Sequence, residues 1–295
     1  MPNLLDIRRR IKSVKNTQQI TKAMKMVSAA KLKRAQDRVV TARPFANKMM
    51  EVLGELAKRT DEDFHHPLLD LRGDERYLVV LITADKGLCG AFNTNLVKAA
   101  QTFMKDNADK TIELLAIGRK GRDFFRNRNA VIVEEYIGLT GKGRVDFTEA
   151  LDVARSVVKL YTEDEGIDKV FLIYNEFKSV LQQRVILEQL LPVSRAKEEE
   201  PETKSQQAVS LVDYKYEQPP AEILGQLLPR LIETQVFRAL LESVASEQGA
   251  RMTAMDSASK NASELIDSLT LNMNRVRQAA ITNEIIEVVS GAAAL

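Results

Sequence analysis

Residues 237–286 read FRALLESVASEQGARMTAMDSASKNASELIDSLTLNMNRVRQAAITNEII and carry the longest regular apolar repeat of the chain. Alternating steps of four and three residues from Phe237 reach fifteen positions, of which eleven are apolar. These positions are Phe237, Leu241, Val244, Gln248, Arg251, Met255, Ala258, Ala262, Leu265, Leu269, Asn272, Val276, Ala279, Asn283 and Ile286. The pattern, sustained over about seven heptads, predicts the seam of a left-handed coiled coil. This segment therefore needs a second long helix.

The second helix is predicted at the other end of the chain, from Leu4 to about Arg59. Apolar residues there recur in steps of three and four, and the pattern shifts its phase after a polar interval at 15–19. Because the two helices stand at opposite ends of one chain, we expect them to pair antiparallel. The last helix alone would span on the order of 100 Å, and such length favours a mechanical or scaffolding part over an enzyme.

Two prolines interrupt these helical patterns. Pro44 predicts a kink or a break in the first helix, and Pro229 predicts a kink near the start of the last one. Both expectations follow because proline has no backbone N–H to donate and its ring crowds the preceding turn.

Between the two helices, apolar runs of strand length alternate with helical patterns. Strands are predicted at 77–83, 111–117, 130–136, 169–175 and 184–190, and helices at 93–104, 119–128 and 147–161. This alternation predicts an α/β domain with a mainly parallel sheet. The predicted fold class is thus a Rossmann-like α/β domain inserted into a long antiparallel two-helix coiled coil.

The chain divides into five predicted parts. They are an N-terminal coiled-coil helix at 1–59, a linker at 60–76, the α/β domain at 77–194, an exposed loop at 195–220 with one short strand at 208–212, and a C-terminal coiled-coil helix at 221–295.

Charge is distributed unevenly along a chain whose net charge is only +2. Residues 1–43 carry twelve Lys and Arg against two acids, whereas residues 221–295 carry nine acids against six bases. This opposition favours pairing of the two terminal helices. The basic first helix also admits two functional interpretations, since its charges could follow nucleic-acid phosphates or face an acidic protein. Composition leaves both open.

Several function classes find no support in the composition. The single cysteine, Cys89, excludes an intramolecular disulfide and fits a reducing compartment. Charged residues begin at Asp6, so we expect no signal peptide. No window approaches 18 apolar residues, so we also expect no transmembrane helix and membrane association only through a partner.

Three motifs were considered as ligand sites. GLTGKG at 138–143 lacks the spacing of a phosphate-binding loop, and DKGLCG at 85–90 has too few glycines for a dinucleotide site, so both are interpreted as turns. His65 and His66, the only two histidines, are interpreted as surface residues. No catalytic group, cofactor site or metal site is therefore predicted.

The end of the chain is unusual because residues 285–295, IIEVVSGAAAL, are apolar or small apart from Glu287 and Ser290. An apolar free end is either a frayed tail, which would promote aggregation, or a segment that inserts into an apolar collar on another protein.

Five blocks of the sequence resemble the γ subunit family of the F-type ATP synthases, the central rotor shaft. They are IRRRI at 7–11, NTQQITKAMKMV at 16–27, TADKGLCG at 83–90, RQAAITNEIIE at 277–287 and SGAAA at 290–294. The resemblance covers the whole chain, and its C-terminal block is highly specific. Without the Cys pair of the chloroplast type or a transit peptide, the chain resembles a bacterial member.

The resemblance implies a non-catalytic shaft that transmits torque from a proton-driven c-ring to catalytic β subunits. The implied partners are three α and three β subunits around one copy of this chain, the ε subunit and the c-ring, with no nucleic acid and no cofactor. The implied location is peripheral, at the cytoplasmic face of the bacterial inner membrane. The alternative from the residues alone is a basic coiled-coil nucleic-acid-binding protein.

The resemblance also implies roles for two groups of residues. The residues implied to contact the β subunits are Arg8, Arg9, Arg10, Met24, Arg277, Gln278, Thr282, Glu284 and Glu287. Those implied to form an apolar bearing at the tip are Val288, Val289, Ala292, Ala293, Ala294 and Leu295.

Overall fold

The computed structural model describes residues 4–60, 64–163, 166–180, 182–193 and 218–293. The elements in chain order are α1 (Leu4–Arg59), β1 (Arg76–Ile82), α2 (Phe92–Asp106), β2 (Thr111–Ile117), α3 (Arg119–Arg126), β3 (Ile132–Tyr136), α4 (Phe147–Glu163), β4 (Lys169–Phe177), β5 (Gln183–Leu191) and α5 (Pro220–Ala293). The short strand predicted at 208–212 falls outside the described residues.

The two terminal helices form an antiparallel hairpin, as the heptad pattern predicted. The hydroxyls of Thr21 and Ser259 lie 2.7 Å apart, and Lys25 Nζ lies 2.6 Å from Asp256 Oδ1. Further along the pair, Arg43 of α1 donates to Glu242 of α5. Contact positions that rise along α1 thus fall along α5, which confirms the antiparallel arrangement.

The contact seam is shorter than the predicted one. Its side chains from Leu241 to Ala262 are buried or half-buried, whereas Ala279, Asn283 and Ile286 are exposed. The prediction that the seam continues to Ile286 is therefore wrong for the contact with α1.

The register of the hairpin explains where the seam stops. Leu4, the first described residue of α1, lies seventeen residues before Thr21, so its level on α5 lies seventeen residues after Ser259, at Val276. Beyond that level, α5 continues to Ala293. About 25 Å of helix therefore extends past the described start of α1.

Both prolines lie inside continuous helices. Pro44 is within α1 and Pro229 is within α5. The predicted break before Pro44 is wrong, because the proline is on the exposed side of α1, where water can bond the carbonyl that loses its partner. The kinks expected at both prolines stay predictions.

The five strands form one mixed sheet in the order β3-β2-β1-β4-β5. The pairs β1–β2, β1–β4 and β2–β3 are parallel, and β4–β5 is antiparallel. The central strand β1 is almost wholly buried because helices cover both of its faces. The edge strand β3 alternates between half-buried and exposed residues.

The sheet joins the hairpin through one of its faces. Leu78 and Val80 of β1 share a core with α1, α4 and α5, whereas Val79 and Leu81 point to the other face, against α2 and α3. With α1 and the sheet domain packed around it, α5 is buried at every residue of 239–249. The α/β domain is therefore fixed to the side of the hairpin, and the far end of α5 is left free.

Candidate functional site

The free end of α5 exposes a stripe of large apolar side chains. Ile281, Ile285 and Val288 are exposed by 48%, 57% and 71%, and Ile286 and Val289 are exposed beside them. Residues three, four and seven apart share one helix face, so these side chains form a continuous surface. An apolar surface of this kind on a protruding helix indicates a site covered by another protein.

Polar residues predicted to contact a partner lie on the same turns. Arg277, Gln278, Thr282 and Glu284 are all exposed. The Thr282 hydroxyl donates to the Gln278 carbonyl oxygen at 2.9 Å, within its own helix. Val288, Val289 and Ala292, which the resemblance assigns to the bearing, are exposed as well.

Part of the predicted tip cannot be placed. The side chains of Glu287 and Ala293, together with Ala294 and Leu295, lie outside the described part of the chain. Sequence reasoning missed Ile281 in the exposed stripe, although its spacing of four and seven residues from Ile285 and Val288 was a readable signal.

The basic residues near the start of α1 lie on the exposed side of the hairpin. Arg8, Arg9 and Arg10 are exposed, while Ile7 beside them is buried. Arg9 lies 3.8 Å from Asp6, an exposed contact of little energetic weight. This patch can therefore attract an acidic partner while Ile7 holds the helix in place.

Met24 lies in a groove between the hairpin and the turn that follows β1. The cavity, which we call the Met24 groove, has a volume of about 430 Å³. Its apolar lining includes the exposed side chains of Ile20, Val27 and Leu88. Its net positive charge comes from Lys31 and Lys86, because Arg251 is paired with Glu247, which also lines the groove. The groove therefore combines apolar surface with positive charge, which suits an acidic partner segment with apolar side chains.

A buried ion pair on α5 holds the turn that forms one wall of the groove. Arg251 bonds Glu247 at 2.7 Å and donates to the carbonyl oxygens of Gly87 and Lys86 at 3.2 and 3.4 Å. Burial raises the pKa of Glu247, and the Arg251 guanidinium opposes that rise. Burial likewise raises the pKa of the Cys89 thiol in the same turn.

Asp85 ties the same turn to two neighbouring loops. Its carboxylate accepts hydrogen bonds from the backbone N–H groups of Arg119, Gly138 and Gly141, at 3.1, 3.0 and 2.8 Å, and from the Thr140 hydroxyl at 3.0 Å. Burial alone would raise the pKa of Asp85, but these hydrogen bonds lower it below its usual range. The segments at 85–90 and 138–143 are thus turns built around one carboxylate.

The predicted contact residues lie at three heights along the shaft. With Thr21 level with Ser259, Arg8 is level with residue 272 and Met24 with Asp256. The basic patch is therefore roughly 10 Å from Arg277 along the axis, and Met24 is roughly 30 Å from it. The fold does not gather these residues into one pocket but spreads them along a rod.

Other kinds of site find no support among the described residues. In these parts of the chain, no group of three or more His, Cys, Asp or Glu side chains could hold a metal ion. Across the same residues, no helix combines the length and hydropathy needed to span a membrane. His65 lies 3.5 Å from Asp70 at the surface.

The fold and its surfaces define a class of protein: an elongated assembly subunit, with a domain fixed to its side and an apolar end for a partner to cover. Comparison with known proteins specifies this class. The family model described as "ATP synthase" matches residues 3–295. The chain is 54% identical to the ATP synthase gamma chain of Solibacter usitatus, over 100% of this chain and 99% of that one. It is 47% identical to that of Chloroherpeton thalassium, with the same two coverages.

Solved structures agree with these relatives. The central stalk and c-ring structure of the Tetrahymena thermophila mitochondrial ATP synthase contains a chain that is 27% identical, with a TM-score of 0.61 over 81% of this chain and 99% of that one. A chain of the Euglena gracilis mitochondrial ATP synthase matches with a TM-score of 0.68 over 99% and 94% at 18% identity, which concerns the fold alone. This chain belongs to the ATP synthase gamma chain family.

Proposed function

We propose that this chain is the central shaft of a proton-driven ATP synthase and that it carries torque between a membrane ring and the catalytic subunits. The observation that carries the proposal is the free end of α5, whose exposed apolar stripe continues past the described start of α1. Two paired helices resist twisting better than one. An exposed end whose last described turns are mainly apolar can turn inside an apolar collar without being held at one angle.

The proposal assigns contacts at each height of the shaft. Arg277, Gln278, Thr282, Glu284 and Glu287 contact loops of the β subunits, and the small apolar residues that follow turn within the collar. Lower down, the basic patch at 8–10 and the Met24 groove face acidic segments of the β subunits as these move. The positive charge of the groove and its apolar lining support this last assignment.

The proposal also fixes the stoichiometry and the location. One copy of the chain stands inside three α and three β subunits, and the α/β domain lies against the ε subunit and the c-ring. The chain is peripheral, at the cytoplasmic face of a bacterial inner membrane, and it meets the membrane only through the c-ring. Nucleotide chemistry belongs to the β subunits, so the chain itself is non-catalytic.

The nucleic-acid alternative loses part of its support in the folded chain. Several bases of α1 are engaged within the protein, as Lys25 is with Asp256, Lys33 with Asp37 and Arg43 with Glu242. Fewer basic charges of α1 are therefore left to follow a phosphate backbone than the sequence suggests.

Reconstitution tests the proposal. Purified α and β subunits are mixed with and without this chain, and complex composition and ATP hydrolysis are measured. We expect one copy to enter per three αβ pairs and to switch on rapid hydrolysis, with no hydrolysis by the chain alone. A chain that stays unbound, or that hydrolyses ATP by itself, contradicts the proposal.

The assigned tip contacts need their own variants. Replacing Arg277 and Gln278 together with alanine should impair assembly or the coupling of hydrolysis to proton pumping. The matched control replaces Arg275 and Asn274, which lie one turn earlier on α5. Wild-type assembly and coupling in the Arg277 and Gln278 variant would remove these residues from the proposed contact.

A further inference from the structure

A row of polar side chains on α5 faces strand β4 inside the otherwise apolar junction of the hairpin and the sheet. Arg238, Glu242 and Ser246 are spaced four residues apart, so they lie on one face of the helix. Arg238 Nη2 lies 3.3 Å from the Tyr174 hydroxyl, and Ser246 Oγ donates to the Asn175 carbonyl oxygen at 3.2 Å. The row therefore bonds directly to the strand next to the centre of the sheet.

Glu242 stands at the middle of this row and is almost fully buried, at 2% exposure. Its Oε2 accepts the Phe177 N–H at 2.9 Å, where β4 ends. Arg43 of α1 donates from Nε to Glu242 Oε1 at 2.9 Å and from Nη2 to Oε2 at 3.0 Å. The same Nη2 donates to the Phe177 carbonyl oxygen at 2.8 Å.

These bonds close a ring through three elements. Both backbone polar groups of Phe177, its N–H and its C=O, are bonded by side chains from the two helices of the hairpin. We call Arg43, Glu242 and the Phe177 backbone the clamp. Because a bidentate arginine–carboxylate pair has a narrow geometry, the ring closes only when α1, α5 and β4 hold one relative position.

Stability alone is a poor explanation for the clamp. Apolar side chains make up most of this junction, and the clamp sets an almost fully buried carboxylate against an arginine side chain that is 41% exposed. Because burying a charge costs free energy, such a pair generally stabilises a fold no more than apolar residues of the same volume would. Apolar contact is also non-directional, so it resists separation of two surfaces better than it resists sliding. Directional bonds at the junction supply the resistance to sliding that apolar packing lacks.

We propose that the clamp is the joint that passes twist between the α/β domain and the hairpin, with Arg43 and Glu242 as positioning residues. The inference rests on the proposed shaft function, in which one part of the chain is driven and another part delivers the torque. Without the clamp the two parts stay together through their shared core and through the other bonds of α5, such as that of Ser246 to Asn175, but they slip more readily under load.

The chain offers a matched control in the same junction. Glu233 of α5 lies 3.7 Å from Arg155 of α4, so this pair also links the hairpin to the α/β domain. Arg155 is 69% exposed, and the contact is long, so it should carry little load. Glu233→Ala therefore removes a carboxylate from the same helix and the same interface without touching the clamp.

The test uses the complete ATP synthase in vesicles. ATP hydrolysis, ATP-driven proton uptake and the amount of chain incorporated are measured for wild type, Glu242→Ala, Glu242→Gln, Arg43→Lys and Glu233→Ala. Glu242→Gln keeps the side-chain volume and an acceptor for the Phe177 N–H. Arg43→Lys keeps the charge but loses the planar fork that reaches both partners.

We expect Glu242→Ala and Arg43→Lys to hydrolyse ATP while pumping several-fold fewer protons per ATP than wild type. Glu242→Gln should fall between them and wild type, and Glu233→Ala should pump as wild type does. If Glu242→Ala does not assemble, the number of protons pumped per ATP by Glu242→Gln and Arg43→Lys tests the proposal instead.

Two results overturn the proposed role of the clamp. One is a ratio of protons pumped to ATP hydrolysed that is the same in the clamp variants as in Glu233→Ala. The other is a loss of pumping that is fully explained by a smaller amount of incorporated chain. Failure of the wild-type chain to support hydrolysis and pumping contradicts instead the proposed shaft function. The two failures are therefore distinguishable in one set of measurements.

Discussion

Gly118 follows β2 with a φ of 91°, and a Cβ at this position would lie 2.1 Å from the Thr83 carbonyl oxygen. Gly138 has nearly the same φ, 90°, but a Cβ there would meet nothing within 4 Å. The two glycines therefore share a positive φ that disfavours side chains and differ in the space around them. Gly118 lets the start of α3 approach the end of β1, next to the turn that forms the Met24 groove.

Gly118→Ala should destabilise the chain far more than Gly138→Ala. The strained φ should cost about 1–2 kcal/mol at either position, whereas the clash with Thr83 adds a cost only at Gly118. Chemical denaturation of both variants measures the difference in the free energy of unfolding. Equal losses would mean that Thr83 does not approach Gly118 as described.

Asp85 should make the stability of the chain depend on acid pH. Since hydrogen bonds to its ionised form lower its pKa in the folded state, its contribution is present above the unfolded pKa, about pH 4, and is lost as pH falls through the lower folded value. Asp85→Asn should therefore destabilise the chain at neutral pH by about 2–3 kcal/mol, and the difference from wild type should shrink in acid.

Thermal unfolding across pH measures this effect, and Asp267→Asn on the exposed part of α5 is the control. That variant should follow the wild-type pH profile. A constant difference between wild type and Asp85→Asn at all pH values would show that the ionised carboxylate is not the stabilising form.

At the scale of the elements, the hydroxyl pair of Thr21 and Ser259 fixes the register of the hairpin. Both side chains are buried between α1 and α5, and their oxygens lie 2.7 Å apart. A buried polar contact in a coiled coil favours one register over others. The Thr21 hydroxyl also bonds the Gln18 carbonyl oxygen in its own helix, so a slip would chiefly cost the Ser259 hydroxyl its partner. How far the free tip of α5 extends past the described start of α1 depends on this register.

A double-mutant cycle of Thr21→Val and Ser259→Ala should give a coupling energy of about 1 kcal/mol. The control cycle combines Thr17→Val with Ser259→Ala, because the Thr17 hydroxyl donates to the Ser13 carbonyl oxygen in its own helix. Coupling near zero in the first cycle, or equal coupling in both, would argue against the hydroxyl contact. Denaturant unfolding of the isolated chain supplies the energies.

The apolar tip should contribute little to folding of the isolated chain. Replacing Ile281, Ile285 and Val288 with serine should change the free energy of unfolding by less than about 1 kcal/mol in total, because all three are exposed. Val244→Ser, at a buried position, should cost about 2–4 kcal/mol. A triple variant as unstable as Val244→Ser would mean that the stripe is covered by the chain itself.

Sequence predicted the elements well because their patterns are local. The buried strand at 77–83 and the heptads after Phe237 can both be recognised from the spacing of apolar residues that are close together in the sequence. Strand order could not be read, since it depends on how the crossovers pack. The heptad pattern also overstated the seam: Ala279, Asn283 and Ile286 continue the repeat although α1 no longer lies beside them. An apolar repeat indicates a helix face that is buried by another surface, but it does not indicate whether this chain or another protein provides that surface.

The site was harder to predict than the fold for the same reason. The apolar end at 285–295 could be named from its composition because its residues are contiguous, whereas the polar contact residues before it came from the family resemblance. The Met24 groove could not, since Met24, Leu88 and Arg251 come from three distant parts of the chain. The clamp of Arg43, Glu242 and Phe177 was missed as well, because nothing local distinguishes a buried charge from a solvated one.

At the scale of the whole molecule, the structure separates two tasks along one axis. The α/β domain lies beside the middle and lower part of the hairpin, where α5 is buried on all sides. The upper end carries the apolar stripe, about 25 Å beyond the described start of α1. Such a molecule can be driven at one end and can act at the other, provided that its two parts turn together.

Rotation of this chain inside an immobilised ring of α and β subunits is the most direct test of its proposed role as a shaft. A bead attached through an engineered cysteine on α2, with Cys89 replaced by serine, reports the orientation of the α/β domain during ATP hydrolysis. We predict unidirectional rotation with pauses in threefold symmetry. Sustained hydrolysis by a complex that contains the chain, with the bead stationary or turning in both directions equally, would contradict it.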